Sequence, residues 1–230
     1  MRVFETKEQL RQYCSGFFDV SNERVIDPQR LRQEGIDALV WSSVFGPEDA
    51  STEARRLIYK IAFSSGIFPA SIHELYMAMG SEEVGGFTVP AMNIRGMTYD
   101  IATRVFEVAR ELRAGAFIFE IAKSEMAYTG QEPSEYATSV LAGAIKAGYR
   151  GPVFIQGDHF QAKRENFLND HNAELQALKT LISSAIGAGF FNIDIDASTL
   201  VDYSKPTLNG QQEDNFTVTA LLTEFIRDIE

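Results

Sequence analysis

The chain has 230 residues, a formal net charge of −11, 45% hydrophobic residues and 23% charged residues. This composition is typical of a soluble globular protein, and the acidic balance argues against a basic surface for nucleic acid. There is no apolar run of the ~18 residues that a membrane-spanning helix needs, and the charged N-terminus does not resemble a secretory signal. Cys14 is the only cysteine. No disulfide can therefore form within the chain, and we expect a cytoplasmic protein.

Residues 1–82 are predicted to form a helical N-terminal extension. Thr6, Ser51 and Ser71 each precede a helical pattern, and such side chains are favoured at the N-cap. Pro28 stands near the start of another helical pattern, where proline is well tolerated. No motif in this region indicates a function.

From residue 85 onwards the pattern changes to four short apolar runs, each followed by a helical segment. The third of these helices is predicted over roughly residues 165–189, and the fourth is predicted to begin at Phe216. The runs are FTVPAMNI (87–94), AFIFEIA (116–122), GPVFIQGDH (151–159) and FFNIDIDAS (190–198). Continuous apolar runs with helical crossovers indicate a parallel sheet, either doubly wound or part of a barrel. No G-x-G-x-x-G motif follows the first run, and no phosphate-binding G-x-x-x-x-G-K-S/T motif occurs, which weakens the doubly wound alternative.

Polar residues follow each predicted strand at its carboxyl end. They are Asn93 and Arg95, then Glu120, Lys123, Ser124 and Glu125, then Gln156, Asp158 and His159, and finally Asp194, Asp196 and Ser198. Because these ends meet at one face of a parallel α/β fold, the residues predict an active site there. The competing interpretation is that polar residues merely mark where the chain emerges into water.

Asp158 and His159 are the sharpest candidates because they follow directly on a buried strand. A neutral imidazole is a good zinc ligand, and an adjacent carboxylate can transfer a proton. Gly157 would allow a ligand or the backbone to approach closely. The alternative is that His159 only ends the strand.

Weaker hypotheses concern the other two histidines and Lys123. His171 is predicted to be exposed to solvent, and His73 is predicted to be a surface or packing residue rather than a ligand. Lys123, with Glu125 two residues later, could instead form a Schiff base as in metal-free aldolases.

Three of these segments resemble class II, metal-dependent sugar-bisphosphate aldolases. They are VPAMNI (Val89–Ile94), PVFIQGDH (Pro152–His159) and IDIDAS (Ile193–Ser198), which resemble the family's VPAFN-like, PVxLHxDH and MIDxS segments in the same order. The resemblance covers roughly residues 85–200. The GDHF segment, with Ala127–Gly130, also looks like the accessory subunit of tagatose-bisphosphate aldolase.

The resemblance implies a TIM (β/α)8 barrel and a lyase of carbohydrate metabolism that reversibly cleaves a ketose bisphosphate or a related sugar phosphate. Asp158 would be the catalytic acid/base. His159 would be a ligand of Zn²⁺ or another divalent metal that polarises the substrate carbonyl. Looser matches imply substrate-binding or supporting roles for Asn93, Ser124, Asp196 and Ser198.

Residues 85–230 supply only the first four β-α units, whereas a full barrel takes ~250 residues. The family's remaining zinc ligands and phosphate-binding loops lie further along the chain. We therefore expect a truncated barrel that is inactive alone, prone to associate through its open edges, and a homo-oligomer when full length. Two alternatives stay open: a non-catalytic aldolase-like subunit, and a metal-independent phosphate-binding barrel isomerase in which His159 is an acid/base.

Overall fold

The computed structural model describes residues 2–229 and is an α/β protein with a parallel sheet, as the sequence predicts. The strands are β1 (Phe18–Asp19), β2 (Arg24–Val25), β3 (Ile67–Ala70), β4 (Ala91–Asn93), β5 (Ile118–Ala122), β6 (Gly151–Gln161) and β7 (Asn192–Asp196). An antiparallel pair of β1 and β2 is separate from the sheet that β3 to β7 form.

Eleven α-helices are found between residues 2 and 229. They are α1 (Lys7–Cys14), α2 (Pro28–Arg30), α3 (Ile36–Phe45), α4 (Glu48–Ser64), α5 (His73–Gly80), α6 (Thr98–Leu112), α7 (Lys123–Thr129), α8 (Pro133–Ala147), α9 (Arg164–Asn169), α10 (His171–Gly187) and α11 (Leu208–Ile229). A π-helical turn (Leu31–Gly35) joins α2 to α3, and a 3-10 turn (Ser198–Leu200) follows β7. None of these helices combines the length and apolar character that crossing a bilayer requires.

The predicted helix starts are only partly reproduced. Thr6 caps α1 as expected, since its side chain accepts a hydrogen bond from the backbone N–H of Gln9. The third helix begins at Glu48 rather than at Ser51. Pro47 favours an extended backbone before the helix, and acidic residues in the first turn complement its dipole.

The four predicted strands correspond to β4, β5, β6 and β7, and every neighbouring pair among them is parallel. Their spatial order is the order of the chain. The register places Ala122 opposite Asp158 and Gln161 opposite Asp196. Polar residues from the carboxyl ends of β5, β6 and β7 are therefore brought to one rim of the sheet.

The region predicted to be wholly helical also contributes a strand, β3. It pairs with Gly151–Phe154 in the first half of β6, while β7 pairs with the second half on the same edge. The prediction missed β3 because its sequence, IFPA, is short and contains Pro69, which cannot donate to a ladder and is tolerated only at edges.

Asn192 joins β3 to β7 along this shared edge. Its amide donates hydrogen bonds to the carbonyls of Ala70 (3.3 Å) and Ile155 (3.1 Å). Its side-chain oxygen accepts from the backbone N–H of Ile72 at 2.9 Å. One side chain thus satisfies three backbone groups in two segments, residues 70–72 and β6.

The helix predicted over residues 165–189 is divided into α9 and α10. Asp170 has an extended backbone, and its carboxylate accepts from the N–H of Ala173 at 3.0 Å, which makes it the N-cap of α10. An N-cap requires a non-helical backbone, so the helix is interrupted there. Helix α7 was not predicted, and α11 begins eight residues earlier than the apolar pattern at Phe216 indicates.

One cluster of buried apolar residues extends from Phe4 to Leu222 and joins the N-terminal helices to the sheet. Helices α3 and α4 pack on α8, and α6, α8, α10 and α11 pack on one another in chain order. Gly143 allows α8 to approach α6 closely, since a Cβ there would lie 2.9 Å from the backbone nitrogen of Thr103. The division into an extension (1–82) and a barrel region (85–230) stays a prediction.

Candidate functional site at the carboxyl end of the sheet

An irregularity at the end of β6 presents His159 to solvent. The register between β6 and β7 shifts between Gly157 and Phe160, and His159 has a φ of 44°. Its side chain is 64% exposed, whereas that of Asp158 is 18% exposed. A Cβ at Gly157 would lie 2.5 Å from the ring of Phe160. The close approach predicted at Gly157 is therefore made by a neighbouring ring rather than by a ligand or the backbone.

Three carboxylates surround the imidazole of His159. The Oδ2 atom of Asp194 lies 3.2 Å from Nδ1 and accepts the backbone N–H of His159 at 3.1 Å. The Oδ2 atom of Asp196 lies 3.8 Å from Nδ1, and Oδ1 of Asp158 lies 4.0 Å from it. The pair chosen from the sequence, Asp158 and His159, is thus brought together with both aspartates of β7.

This arrangement has a donor set that fits a divalent cation. Asp158, His159 and Asp194 each offer one ligand atom, and these atoms all lie within 4.8 Å of one another. Imidazole nitrogen and carboxylate oxygen are common ligands of zinc and of other divalent metals. The sequence predicts that Asp194 lies at the rim but does not distinguish it as a metal ligand. Its two-residue spacing from Asp196, which puts both on one face of a strand, was the available signal.

The carboxyl of Asp158 is a suitable proton carrier. Burial raises its pKa above the ordinary value; the nearby imidazole of His159 opposes this change, and the negative charge of Asp194 adds to it. Burial also raises the pKa of Glu120, and the charge of Asp158 raises it further. A carboxyl whose pKa moves towards neutrality is better matched to proton transfer than an ordinary surface carboxyl.

Asn93 belongs to a network around the buried carboxylate of Glu125. Its amide donates to Oε2 of Glu125 at 2.8 Å, and Arg95 donates to the Asn93 oxygen at 3.0 Å. Arg95 also forms an ion pair with Oε1 of Glu125 at 2.7 Å. Glu125 further accepts the backbone N–H of Ala122, which fixes the start of α7 at the rim. This network, which no sequence pattern predicts, connects the ends of β4 and β5.

Asp196 is held by its own hydrogen bonds. Its Oδ1 accepts from the backbone N–H and the hydroxyl of Ser198 at 3.0 and 2.6 Å, and its Oδ2 accepts from Gln161 at 2.6 Å. Burial alone would raise the pKa of Asp196, but the bonds from Ser198 and Gln161 outweigh burial and lower it. Asp196 and Ser198 therefore form a local turn that supports the rim. Ser124 is exposed in the first turn of α7 and has no side-chain hydrogen bond to any residue between 2 and 229.

The amine of Lys123 is engaged in contacts that do not suit a Schiff-base lysine. Its Nζ donates to the carbonyl of Gln161 at 3.0 Å and to the buried carboxylate of Glu174 at 3.1 Å. A Schiff-base lysine must present a neutral, free amine, so these contacts count against that alternative. His171 is exposed, as the sequence predicts, and His73, for which the sequence left a surface or a packing position open, is also exposed.

Comparisons with protein-family models, with curated proteins and with solved structures found no significant match for this chain. The resemblance to class II aldolases is therefore carried by the three sequence segments alone.

Proposed function

We propose that residues 85–229 form half of a class II aldolase-like barrel whose function is metal-dependent aldol cleavage of a ketose bisphosphate or a related sugar phosphate. The observation that carries this proposal is the group of Asp158, His159 and Asp194 at the carboxyl ends of β6 and β7. Active sites of (β/α)8 barrels are built at that end of the strands.

The barrel assignment is supported by the order of the strands. From β4 to β7 each strand lies beside the next one in the chain, without the reversal that defines a doubly wound sheet. The crossover helices also neighbour one another in chain order, as they do around a barrel.

The residues of the site have different roles in the proposed reaction. A bound divalent metal would act as a Lewis acid that polarises the substrate carbonyl. His159 has the exposed imidazole that can hold such an ion. Asp158, with its raised pKa, gives or takes the proton of the substrate hydroxyl at its carboxyl oxygen. Asn93 donates a hydrogen bond to Glu125 and so supports the rim near Asp158.

A second candidate, a non-catalytic aldolase-like subunit, is favoured by one observation. Catalytic zinc usually has three protein ligands, with histidine prominent among them. The group of side chains at this rim contains one histidine and two carboxylates.

A calorimetric titration with Zn²⁺, paired with an aldol-cleavage assay on ketose bisphosphates, tests the proposal. We expect the chain and its His171→Ala control to bind one equivalent of zinc and His159→Ala to lose it. Because four β-α units are expected to be inactive alone, zinc binding through His159 without cleavage agrees with both the proposal and the non-catalytic subunit. Absence of zinc binding would contradict the metal-dependent proposal. Isomerisation of a sugar phosphate without any zinc dependence would favour the metal-free isomerase.

A further inference from the structure

Arg95 follows β4 at the carboxyl rim and is anchored there through the Nε atom of its guanidinium. Nε donates to the side-chain oxygen of Asn93 at 3.0 Å and forms an ion pair with Oε1 of Glu125 at 2.7 Å. The side chain of Glu125 is 10% exposed, whereas that of Arg95 is 61% exposed. A buried carboxylate therefore fixes a guanidinium that is itself accessible to a ligand.

The two Nη groups of Arg95 are not used by the fold. Among the described residues, neither Nη1 nor Nη2 has a hydrogen-bond or ion-pair partner. Other cations near the carboxyl ends of the strands are engaged. Nζ of Lys123 contacts Gln161 and Glu174, and Nη1 of Arg164 donates to two backbone carbonyls. An unengaged pair of Nη groups suits a phosphate or a carboxylate, because either anion can accept two parallel hydrogen bonds from one guanidinium.

The register of the sheet separates Arg95 from the candidate metal site by the width of one intervening strand. Asn93 lies opposite Glu120, and Glu120 lies opposite Gln156. Arg95 and Asp158 each follow two residues later. Two strand spacings of ~4.8 Å separate β4 from β6, which is roughly 10 Å in total. A ligand that contacts both places must therefore carry its anionic group several atoms away from the group that meets the metal.

The carboxylates of the rim make a cation necessary for binding an anion. Glu120, Asp158 and Asp194 lie at this rim, and their negative charges repel an anionic ligand. Arg95 supplies the opposite charge. Because its ion pair with Glu125 is made at Nε, the pair orients the guanidinium without occupying the Nη groups. An anchored side chain also loses less conformational freedom when it binds a ligand.

We propose that Arg95 is a specificity-determining residue that binds the terminal anionic group of the ligand, a phosphate or a carboxylate, while the group around His159 contacts the other end. The connection between the two ends rests on the proposed function, whereas anion binding at Arg95 needs no metal. Since a guanidinium accommodates both anions, their relative affinities identify the class of ligand.

NMR titration of the metal-free chain with inorganic phosphate, and separately with acetate, tests the proposal. Sodium chloride at equal ionic strength is the reference. We expect the side-chain Nε–H signal of Arg95, assigned through its backbone resonances, to shift with phosphate or acetate and not with chloride. A preference for phosphate identifies a phosphorylated ligand, and a preference for acetate identifies a ligand with a terminal carboxylate. A signal that responds to neither anion more than to chloride overturns the proposal.

Variants distinguish Arg95 from Lys163, another exposed cation near this rim. We expect Arg95→Gln to weaken anion binding by about tenfold or more, because hydrogen bonds to a charged group are lost. Arg95→Lys should recover only part of the affinity, since an ammonium cannot make the two parallel bonds. Lys163→Gln is the control and should leave the affinity unchanged. Loss of anion binding in Lys163→Gln but not in Arg95→Gln overturns the proposal.

Zinc titration of the unmodified chain distinguishes failure of this proposal from failure of the proposed function. Zinc binding without an anion response at Arg95 overturns the role of Arg95 and leaves the metal-dependent function standing. An anion response at Arg95 without zinc binding supports the anion site and contradicts the metal-dependent function.

Discussion

Two groups of carboxylates in this molecule have opposite surroundings. Glu53, on α4, is buried between the guanidinium groups of Arg11 (2.7 Å) and Arg56 (2.5 Å). Burial alone would raise the pKa of Glu53, but the hydrogen bonds from both arginines lower it to about 2. At the rim, the pKa values of Asp158 and Glu120 are raised instead. Within residues 2–229 neither has an ion pair with lysine or arginine.

The difference separates a carboxylate that stabilises the fold from carboxylates available for chemistry. Glu53 has cations that compensate for its burial, and its ionised form contributes to stability. Asp158 and Glu120 are half-buried beside like charges, which disfavours ionisation and makes them candidates for proton transfer. The following variants test this contrast.

Glu53→Gln should be the most destabilising of these changes, by about 1–3 kcal/mol, because hydrogen bonds to charged groups are lost. Chemical denaturation followed by circular dichroism measures the loss. Glu213→Gln, at an exposed position on α11, is the control and should change stability by less than about 0.5 kcal/mol. Equal stability of both variants would show that the Glu53 ion pairs contribute nothing.

The same glutamate should make the fold sensitive to acid. The pKa of Glu53 falls from 4.5 to about 2 on folding, so its contribution is present above pH 4.5. As the pH decreases towards 2 both states become protonated and the contribution is lost. Denaturation at a series of pH values gives the free energy of unfolding as a function of pH. In this range the slope of that curve should be shallower for Glu53→Gln than for the unmodified chain. An unchanged slope would contradict the assignment.

Lys123→Met should cost about 0.5–1.5 kcal/mol, since the ion pair with Glu174 is lost while the aliphatic part of the side chain is kept. This lysine lies near the rim but binds Glu174 rather than a rim carboxylate. Zinc affinity should therefore be unchanged. Trapping of a lysine adduct by borohydride in the unmodified chain, but not in this variant, would restore the Schiff-base mechanism.

Glu120→Gln should have the smallest effect, and its sign should be opposite. We expect the free energy of unfolding to increase by zero to about 1 kcal/mol at neutral pH. The pKa of Glu120 is raised on folding. Its contribution to the stability of the fold is therefore complete at low pH and decreases as the pH rises through the raised pKa. The glutamine variant should lose this part of the pH dependence while keeping an acceptor for Gln156. A marked loss of stability would mean that the Glu120 charge is compensated after all.

The sequence predicted the parallel sheet and the Asp158–His159 pair because an uninterrupted apolar run ends at those residues. It did not distinguish Asp194 from Asp196. Alternation places both on one face of β7, but the shift of register between Gly157 and Phe160 decides which one contacts the imidazole. Hydrophobic periodicity carries no information about such a local shift. Strand β3 was also missed, because it contains Pro69 and depends on tertiary pairing with β6.

Asn192 has a consequence for how the molecule unfolds. Its three hydrogen bonds join residues 70–72 and β6 to β7, so the N-terminal region cannot separate from the sheet without breaking bonds of this group. We therefore expect residues 2–82 and the remaining sheet to melt in a single cooperative transition. In hydrogen-exchange measurements, the amide of Ile72 should then be protected to the same extent as amides at the centre of β6.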